Sequence, residues 1–177
     1  MIIGGYHGRR DEDLGISSDV WAFSDILQNN AAKITLLNSL NEARMKHSCG
    51  LLKNAGGNLI AVVAGGFNGF ESLNSVEILQ FNEAGAEGEG GIYSKWKLQT
   101  DDKKIMPLRL HGGSFLPNED CTKLHLVGGK SLEKGILDTI MILDGTLQWK
   151  FATYNMTRRR SDFVITRMTN EQCMNFG

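Results

Sequence analysis

The stretch Val62-Val63-Ala64-Gly65-Gly66 is a short apolar run that ends on two adjacent glycines. The same pattern occurs as Ile2-Ile3-Gly4-Gly5 and as Leu126-Val127-Gly128-Gly129. The glycine pairs are 61 and 63 residues apart, which is the spacing of a repeat rather than of scattered glycines. Adjacent glycines at the end of a strand allow backbone conformations and close approaches that a Cβ would forbid. The three pairs therefore predict three related structural units.

The features around the glycine pairs repeat as well. Each pair is followed by a polar loop and then by a short stretch that contains β-branched residues, at 18–23, 73–79 and 137–143. Two units then contain an isolated tryptophan, Trp96 and Trp149, where the first unit has Ile34-Thr35-Leu36. Each unit closes with an apolar residue, an arginine four positions later and a small or aromatic residue three positions after that: Leu40, Arg44 and His47; Ile105, Arg109 and Gly112; Met156, Arg160 and Phe163.

This order of features resembles the kelch repeat, a family in which four-stranded blades build a β-propeller. Short strands between turn-rich loops, with almost no helical periodicity, predict an all-β repeat architecture independently of the resemblance. Residues 59–64 are apolar on both faces, as expected of an inner strand between neighbouring sheets. We therefore predict an all-β fold, a kelch-type propeller fragment of four-stranded antiparallel blades. The resemblance implies that Arg44, Arg109 and Arg160 lie near blade junctions.

The kelch pattern divides residues 1–177 into four parts. They are an incomplete blade at 1–40, blades at 44–100 and 109–153, and a last part at 160–177 made of an innermost strand, 162–166, and a tail. Because propellers have about 4–8 blades, either the chain is a fragment of a longer one or the last strand closes a ring against the first blade; both can hold. Residues 24–40 are interpreted as a loop plus an outer strand, and the acidic, glycine-rich stretch 82–91 as a projecting loop.

Composition excludes several classes of function. Nineteen Lys and Arg against 20 Asp and Glu give a net charge of −1, which offers no electrostatic footprint for nucleic acid or an anionic membrane. The four histidines are far apart and none pairs with a cysteine at zinc-like spacing, so we expect no metal and no cofactor. An odd cysteine count, Cys49, Cys121 and Cys173, suits reduced thiols or one disulfide with a leftover. A cytoplasmic location is favoured and an extracellular one stays open.

Protein binding is the leading functional hypothesis, because loops on a rigid scaffold are where recognition usually resides. In kelch substrate adaptors, the ligand face comprises the loops after the glycine pairs and those that lead into each innermost strand. The resemblance places loops 6–17, 67–73 and 130–135 on that face. The candidate partner-binding residues are Tyr6, Arg9, Arg10, Phe67, Asn68, Phe70 and Lys130, with Lys46, His111 and Asp162 two positions after the repeat arginines. The partner would be another protein. If the chain is part of a larger adaptor, that partner would be a substrate that the adaptor holds for a cullin-type ubiquitin ligase through a separate BTB domain.

Two alternatives accompany this hypothesis. Phe67 and Phe70 could instead pack within their own loop, which would leave fewer anchors for a partner. Some kelch-type propellers act on sugars, among them a copper oxidase and a sialic acid mutarotase, so a secreted sugar-acting or carbohydrate-binding propeller is the second function. The polar candidates for catalysis, which also have structural explanations, are Asp19, Asp138, Arg109 and His111. The tyrosines match no copper-ligand spacing; they are Tyr6, Tyr93 and Tyr154. We therefore expect that the chain is not an enzyme.

Overall fold

The computed structural model describes residues 1–7, 15–24, 33–81 and 95–166. These residues form thirteen β-strands and no helix, so none of their segments is a helix that could cross a membrane. All strands that pair do so as antiparallel neighbours. The predicted all-β class with four-stranded antiparallel sheets is confirmed. The acidic stretch 82–91 lies outside the described residues.

The first sheet has three strands in the order β1-β2-β3. They are β1 (Ile2–His7), β2 (Gly15–Ser24) and β3 (Lys33–Leu36). Strand β3 is the outer strand expected within 24–40. The loop predicted over 6–17 is wrong at both ends, because Tyr6 pairs with Ile16 and the ladder continues to residues 7 and 15. The register of a hairpin depends on its pairing partners, which the local sequence of one strand does not reveal.

The second sheet has the order β4-β5-β6-β7. Its strands are β4 (Ser48–Lys53), β5 (Leu59–Ala64), β6 (Val76–Gln80) and β7 (Lys97–Leu98). Five of the six residues of β5 are buried, since this strand has neighbours on both edges and packed sheets on both faces. Alternate side chains along a strand point to opposite faces. Accordingly, Ile60 and Val62 pack toward one neighbouring sheet, whereas Ala61 and Val63 pack toward the other.

The third sheet repeats this plan in the order β13-β12-β9-β8. Its strands are β8 (Ser114–Pro117), β9 (Lys123–Val127), β12 (Ile140–Asp144) and β13 (Trp149–Phe151). Between β9 and β12, strands β10 (Lys130–Ser131) and β11 (Gly135–Ile136) form a small hairpin that covers the predicted loop 130–135 and extends one residue beyond it. Ser48 is opposite Ala64 and Ser114 is opposite Val127, so both sheets have the same register relative to their glycine pairs.

Two apolar cores hold the three sheets side by side. One lies between the second and third sheets and includes Leu52, Val62, Leu124, Leu126 and Met141. The other lies between the first and second sheets and includes Val20, Ala61, Val63, Leu79 and Trp96. Each fully buried Leu or Val side chain contributes about 1.5–3 kcal/mol relative to exposure. Stacking of the sheets is therefore the main apolar contribution to stability.

The two repeated tryptophans both have structural roles. Trp96 is buried in the core between the first and second sheets. Trp149 packs against the core of the second and third sheets, where its ring stacks on Phe115 with a centroid distance of 6.2 Å. Its Nε1 donates a hydrogen bond of 3.1 Å to the carbonyl of Lys104. Both side chains thus fix an outer strand to the neighbouring structure.

The glycine pairs have the same backbone geometry in all three sheets. The φ angles are +53° at Gly4 and +117° at Gly5, +65° at Gly65 and +105° at Gly66, and +60° at Gly128 and +104° at Gly129. The second glycine of each pair donates its N–H to a carbonyl outside its own sheet, with N–O distances of 2.9, 2.9 and 2.8 Å: Gly5 to Arg44, Gly66 to Leu110 and Gly129 to Arg160. A Cβ on the first glycine would lie 2.5–2.7 Å from that same oxygen. Only glycine allows this approach.

The segments that supply these carbonyls lead out of one sheet and toward the next. We call residues 40–47, 106–113 and 156–163 the lead-in segments. Each donates two further backbone hydrogen bonds to the part of its unit that follows the glycine pair, at equivalent positions: Leu40 to Ser18 and Arg44 to Ser17 in β2, Met106 to Asn74 and Leu110 to Leu73, Met156 to Asp138 and Arg160 to Leu137. The same set of backbone hydrogen bonds therefore forms a ladder that occurs three times, and its first two occurrences join consecutive sheets.

The hydrogen bonds of this ladder shift the alignment of the second unit by one residue relative to the alignment made from the sequence. Leu110, not Arg109, occupies the place of Arg44 and Arg160, and Met106, not Ile105, occupies the place of Leu40. The side chain of Arg109 is half exposed and pairs with Glu71. Arg109 therefore lies beside the junction as expected, but Leu110 holds the place that Arg44 holds in the first unit, and the alignment on arginine is off by one residue.

Arg44 is the buried charge at the junction of the first two sheets. Its side chain is 0% exposed, and its guanidinium lies 2.7 Å from the equally buried carboxylate of Glu77. The guanidinium also donates to the carbonyl of Gly65 at 2.8 Å. At the junction of the second and third sheets, Leu110 takes the place of Arg44 and Met141 takes the place of Glu77, and both side chains are apolar and buried. Arg160 is exposed, with no acidic partner among the described residues.

Residues 161–166 form no strand with any other described residue, so the predicted innermost strand at 162–166 is not formed here. A β-strand requires a ladder of backbone hydrogen bonds to a neighbouring strand, and residues 161–166 form no such ladder among the described residues.

The Arg44–Glu77 pair gives a test of the repeat alignment. Arg44→Leu leaves the Glu77 carboxylate buried without a counter-ion, and we expect a loss of about 3–5 kcal/mol in the free energy of unfolding. Arg44→Leu combined with Glu77→Met copies Leu110 and Met141, so the double variant should lose less than the sum of the single variants. Urea unfolding measures all of these free energies. Strictly additive losses would contradict the alignment.

Candidate functional site

The glycine pairs, the lead-in segments and the loops 67–73 and 130–135 lie at one end of the stacked sheets. Strands β1, β5 and β9 run toward this end, and β4 and β8 begin from it. We call this end the glycine-pair face. Its loops are fixed by backbone hydrogen bonds, such as the reciprocal pairs between Met45 and Phe67 and between His111 and Lys130. The face therefore presents side chains from a rigid frame.

Three equivalent residues form a chain of contacts across this face. Lys46, Gly112 and Asp162 have φ angles of +53°, +66° and +54°, a conformation that costs an L-residue about 1–2 kcal/mol. The Gly112 N–H donates to the Lys46 carbonyl, and the Asp162 N–H donates to the Gly112 carbonyl, both at 2.7 Å. The Lys46 ammonium lies 3.1 Å from the Asp162 carboxylate. Two of the three residues predicted to follow the repeat arginines thus meet, and Gly112 takes the place expected of His111.

His111 lies one position earlier and points into the neighbouring loop. Its Nδ1 and the Ser72 hydroxyl are 2.9 Å apart and share a hydrogen bond, and its ring lies 5.6 Å from the ring of Phe67. Burial lowers the pKa of His111; Asp162 opposes this, whereas Lys46 and Lys130 add to it. His111 is therefore a neutral, packed residue at neutral pH, and it anchors the loop 67–73.

A shallow cleft separates the loops 67–73 and 130–135. Its volume is about 100 Å³. Arg109 and Glu71 form an ion pair on its wall, and both side chains are half exposed. The remaining lining residues come from both loops: Ser72, Ser131, Leu132 and Glu133. The cleft thus combines one cation, two carboxylates and an apolar side chain.

Two apolar side chains project beside this cleft. Phe70 is 91% exposed, and Leu132 is 59% exposed. The Phe70 turn is held by Asn68, whose Oδ1 accepts the N–H groups of Phe70 and Glu71 at 3.0 and 2.9 Å. Phe67, in contrast, packs on His111 and is only partly exposed. The two phenylalanines therefore differ: Phe67 is a packing residue, and Phe70 is an exposed one.

The remaining predicted residues are more dispersed. Tyr6 is exposed at the end of β1. Arg9 and Arg10 lie outside the described residues. Lys130 is exposed and pairs with His111 only through its backbone. Glu71, Leu132 and Glu133 were not singled out from the sequence, because nothing in a polar loop marks which of its residues will border a cleft.

His47 fills the junction between the first two sheets at this face. Its ring lies against Gly4, where an added Cβ would be 3.2 Å from His47 Cε1. Phe163 takes the same place against Gly128, at 3.1 Å. Burial, reinforced by the positive charge of Arg44, lowers the pKa of His47 from 6.5 to about 4. His47 is therefore neutral at neutral pH and packs against the first glycine pair.

The described residues contain no cluster of three or more His, Cys, Asp or Glu side chains that could hold a metal. Cys49 and Cys121 are free, and Cys173 lies outside the described residues. Asp138, one of the polar candidates, lies 3.9 Å from Arg159 at the surface. The groups that do converge on the glycine-pair face are ion pairs and apolar side chains, which suit binding to the surface of another macromolecule.

Neither a model of a known protein family nor a curated protein sequence matches this chain.

The buried His47 predicts a pH dependence of stability. As the pH falls from 6.5 toward 4, the unfolded chain takes up a proton that the folded chain excludes, so stability present above pH 6.5 is lost in this window. We expect His47→Phe, which copies Phe163, to lose less stability over this range than the wild type. Urea unfolding at a series of pH values measures the difference, with His125→Gln as the control. An unchanged slope in His47→Phe would contradict the prediction.

Proposed function

We propose that this chain is a protein-binding module of the kelch-propeller type, and that its glycine-pair face contacts the partner. The observation that carries the proposal is the pair of exposed apolar side chains, Phe70 and Leu132, beside the charged cleft. Aromatic side chains and arginine dominate the energetics of protein interfaces. Phe70 and Arg109 together match that composition.

The rigid support of these side chains strengthens the proposal. Asn68 fixes the turn that carries Phe70, and the hairpin of β10 and β11 carries Leu132. Because the loops are already ordered, binding would lose less conformational entropy than it would for mobile loops. Burying Phe70 and Leu132 against a partner would contribute about 1.5–3 kcal/mol each.

The charges of the cleft suggest what a partner must offer. Arg109 shares the cleft with Glu71 and Glu133, and Lys130 is exposed at the start of β10, so this face has no single sign of charge. We infer a partner with a small apolar patch flanked by both kinds of charge, in which the charges select the partner more than they strengthen binding. Delivery of that partner to a cullin-type ubiquitin ligase, through a separate domain, is an extension that the kelch resemblance suggests.

Capture of partners from an extract of the source cells tests the proposal. Immobilised wild-type chain is compared by quantitative mass spectrometry with Phe70→Ser/Leu132→Ser, which should lose the captured partner. The control is Leu98→Ser/Phe151→Ser, which removes two exposed apolar side chains from the outer strands β7 and β13. We expect the control to retain the partner. Equal capture by all three proteins would contradict a role for this face.

A further inference from the structure

The lead-in segment 156–163 carries a run of three arginines that the other two lead-in segments lack. Residues 158–160 are all arginine, and no other run of three cations occurs in the sequence. All three side chains are exposed, and Arg159 approaches a carboxylate only at 3.9 Å, that of Asp138. Among the described residues, Arg158 and Arg160 form no ion pair with an acidic side chain. These contacts leave the guanidinium groups open to an external partner.

A serine follows the arginines directly. Ser161 is partly exposed, and its hydroxyl forms no hydrogen bond with another described residue. The backbone of this segment is anchored by the N–H groups of Met156 and Arg160, whereas residues 157–159 form no backbone hydrogen bond with the rest of the described chain. The arginines and the serine hydroxyl therefore lie together on a surface segment that is fixed at only a few points.

The spacing of these residues has a chemical meaning. Arg158 and Arg159 precede Ser161 by three and two positions, and the pattern Arg-Arg-x-Ser or Arg-Arg-x-Thr occurs once in the sequence. Guanidinium groups form paired hydrogen bonds with carboxylates, and kinases select their substrates by patterns of charge. A kinase whose substrate groove is acidic would hold both arginines while the serine enters its active site. We propose that Ser161 is a phosphorylation site for a serine/threonine kinase of this class.

The reaction is a phosphoryl transfer from Mg·ATP that the kinase binds. The Ser161 Oγ attacks the γ-phosphorus, the new O–P bond forms, and the bond from the γ-phosphorus to the bridging oxygen breaks. ADP leaves with that electron pair, and the hydroxyl proton passes to the catalytic aspartate of the kinase. The chain itself contributes the nucleophilic hydroxyl and the two arginines that position it.

The phosphate changes the charge of this part of the glycine-pair face. Residues 158–162 contain three arginines and one aspartate, a net charge of +2, and a phosphoserine adds about −1.5 to −2. The basic patch is thereby nearly neutralised. The Lys46 ammonium lies 3.1 Å from the Asp162 carboxylate, and both side chains are about half exposed. Because the phosphate is attached one residue from Asp162, it competes with that carboxylate for Lys46.

Phosphorylation therefore alters the ion pair that links the first and third lead-in segments across the glycine-pair face. An effect on partner binding rests on the proposed function of that face, because charges there select the partner. The phosphorylation itself does not depend on any partner. A kinase assay on the chain alone can thus fail or succeed independently of the capture experiment.

Phosphate incorporation into the folded 177-residue chain tests the proposal. The probe is the catalytic subunit of cyclic-AMP-dependent protein kinase, which has an acidic substrate groove, with Mg·ATP, and tandem mass spectrometry locates the phosphate. We expect one phosphate per chain, on Ser161, and none at this position in Ser161→Ala. Arg158→Gln/Arg159→Gln removes two charge-assisted contacts with the kinase, so its kcat/KM should fall at least about tenfold.

Two control variants separate this site from general effects of charge and of exposed hydroxyls. Lys103→Gln/Lys104→Gln removes two adjacent cations elsewhere, and Thr157→Ala removes an exposed hydroxyl on the other side of the arginines. Both should keep the wild-type kcat/KM, and near-UV circular dichroism should show the same fold in all variants. No phosphate on Ser161 of the folded chain would overturn the proposal. An equal kcat/KM for Arg158→Gln/Arg159→Gln and the lysine control would do so as well.

Discussion

The hydrogen bond from the second glycine of each pair to the following lead-in segment is the contact on which the other features depend. At Gly5 and Gly66 it joins consecutive sheets through their backbones, and at Gly129 it holds the lead-in segment 156–163 in the same way. The bond requires a close approach that a Cβ on the preceding glycine would prevent. Once it forms, the apolar faces of neighbouring sheets are aligned, and residues such as Val62 and Val63 become buried on both sides of one strand.

Side chains at the junctions vary while this backbone contact stays the same. The first junction holds the buried Arg44–Glu77 pair, and the second has Leu110 and Met141 at those positions. A buried ion pair and an apolar pair of similar size can serve equally in a core when every polar group is satisfied. The repeat is therefore defined by backbone geometry, and its side chains are free to differ between units.

This distinction explains how much the sequence could predict. The glycine pairs and the apolar stretch 59–64 predicted the sheets, because both patterns follow from local backbone and burial requirements. The alignment on Arg109 was wrong, because it relied on a side chain that the repeat does not require. The cleft was not predicted, since the contact of Arg109 with Glu71 and the exposure of Phe70 depend on how two distant loops meet. Tertiary contacts, rather than local sequence, decide those features.

The steric role of the glycine pair is tested most directly by comparing Gly65→Ala with Gly135→Ala in urea unfolding. Both positions have positive φ angles, +65° and +71°, so alanine costs about 1–2 kcal/mol at each. Only at Gly65 does the new Cβ meet a backbone atom, the Leu110 oxygen at 2.6 Å; at Gly135 nothing lies within 4 Å. We expect Gly65→Ala to lose at least about 2 kcal/mol more than Gly135→Ala. Equal losses would show that the close approach at the glycine pair does not hold the sheets together.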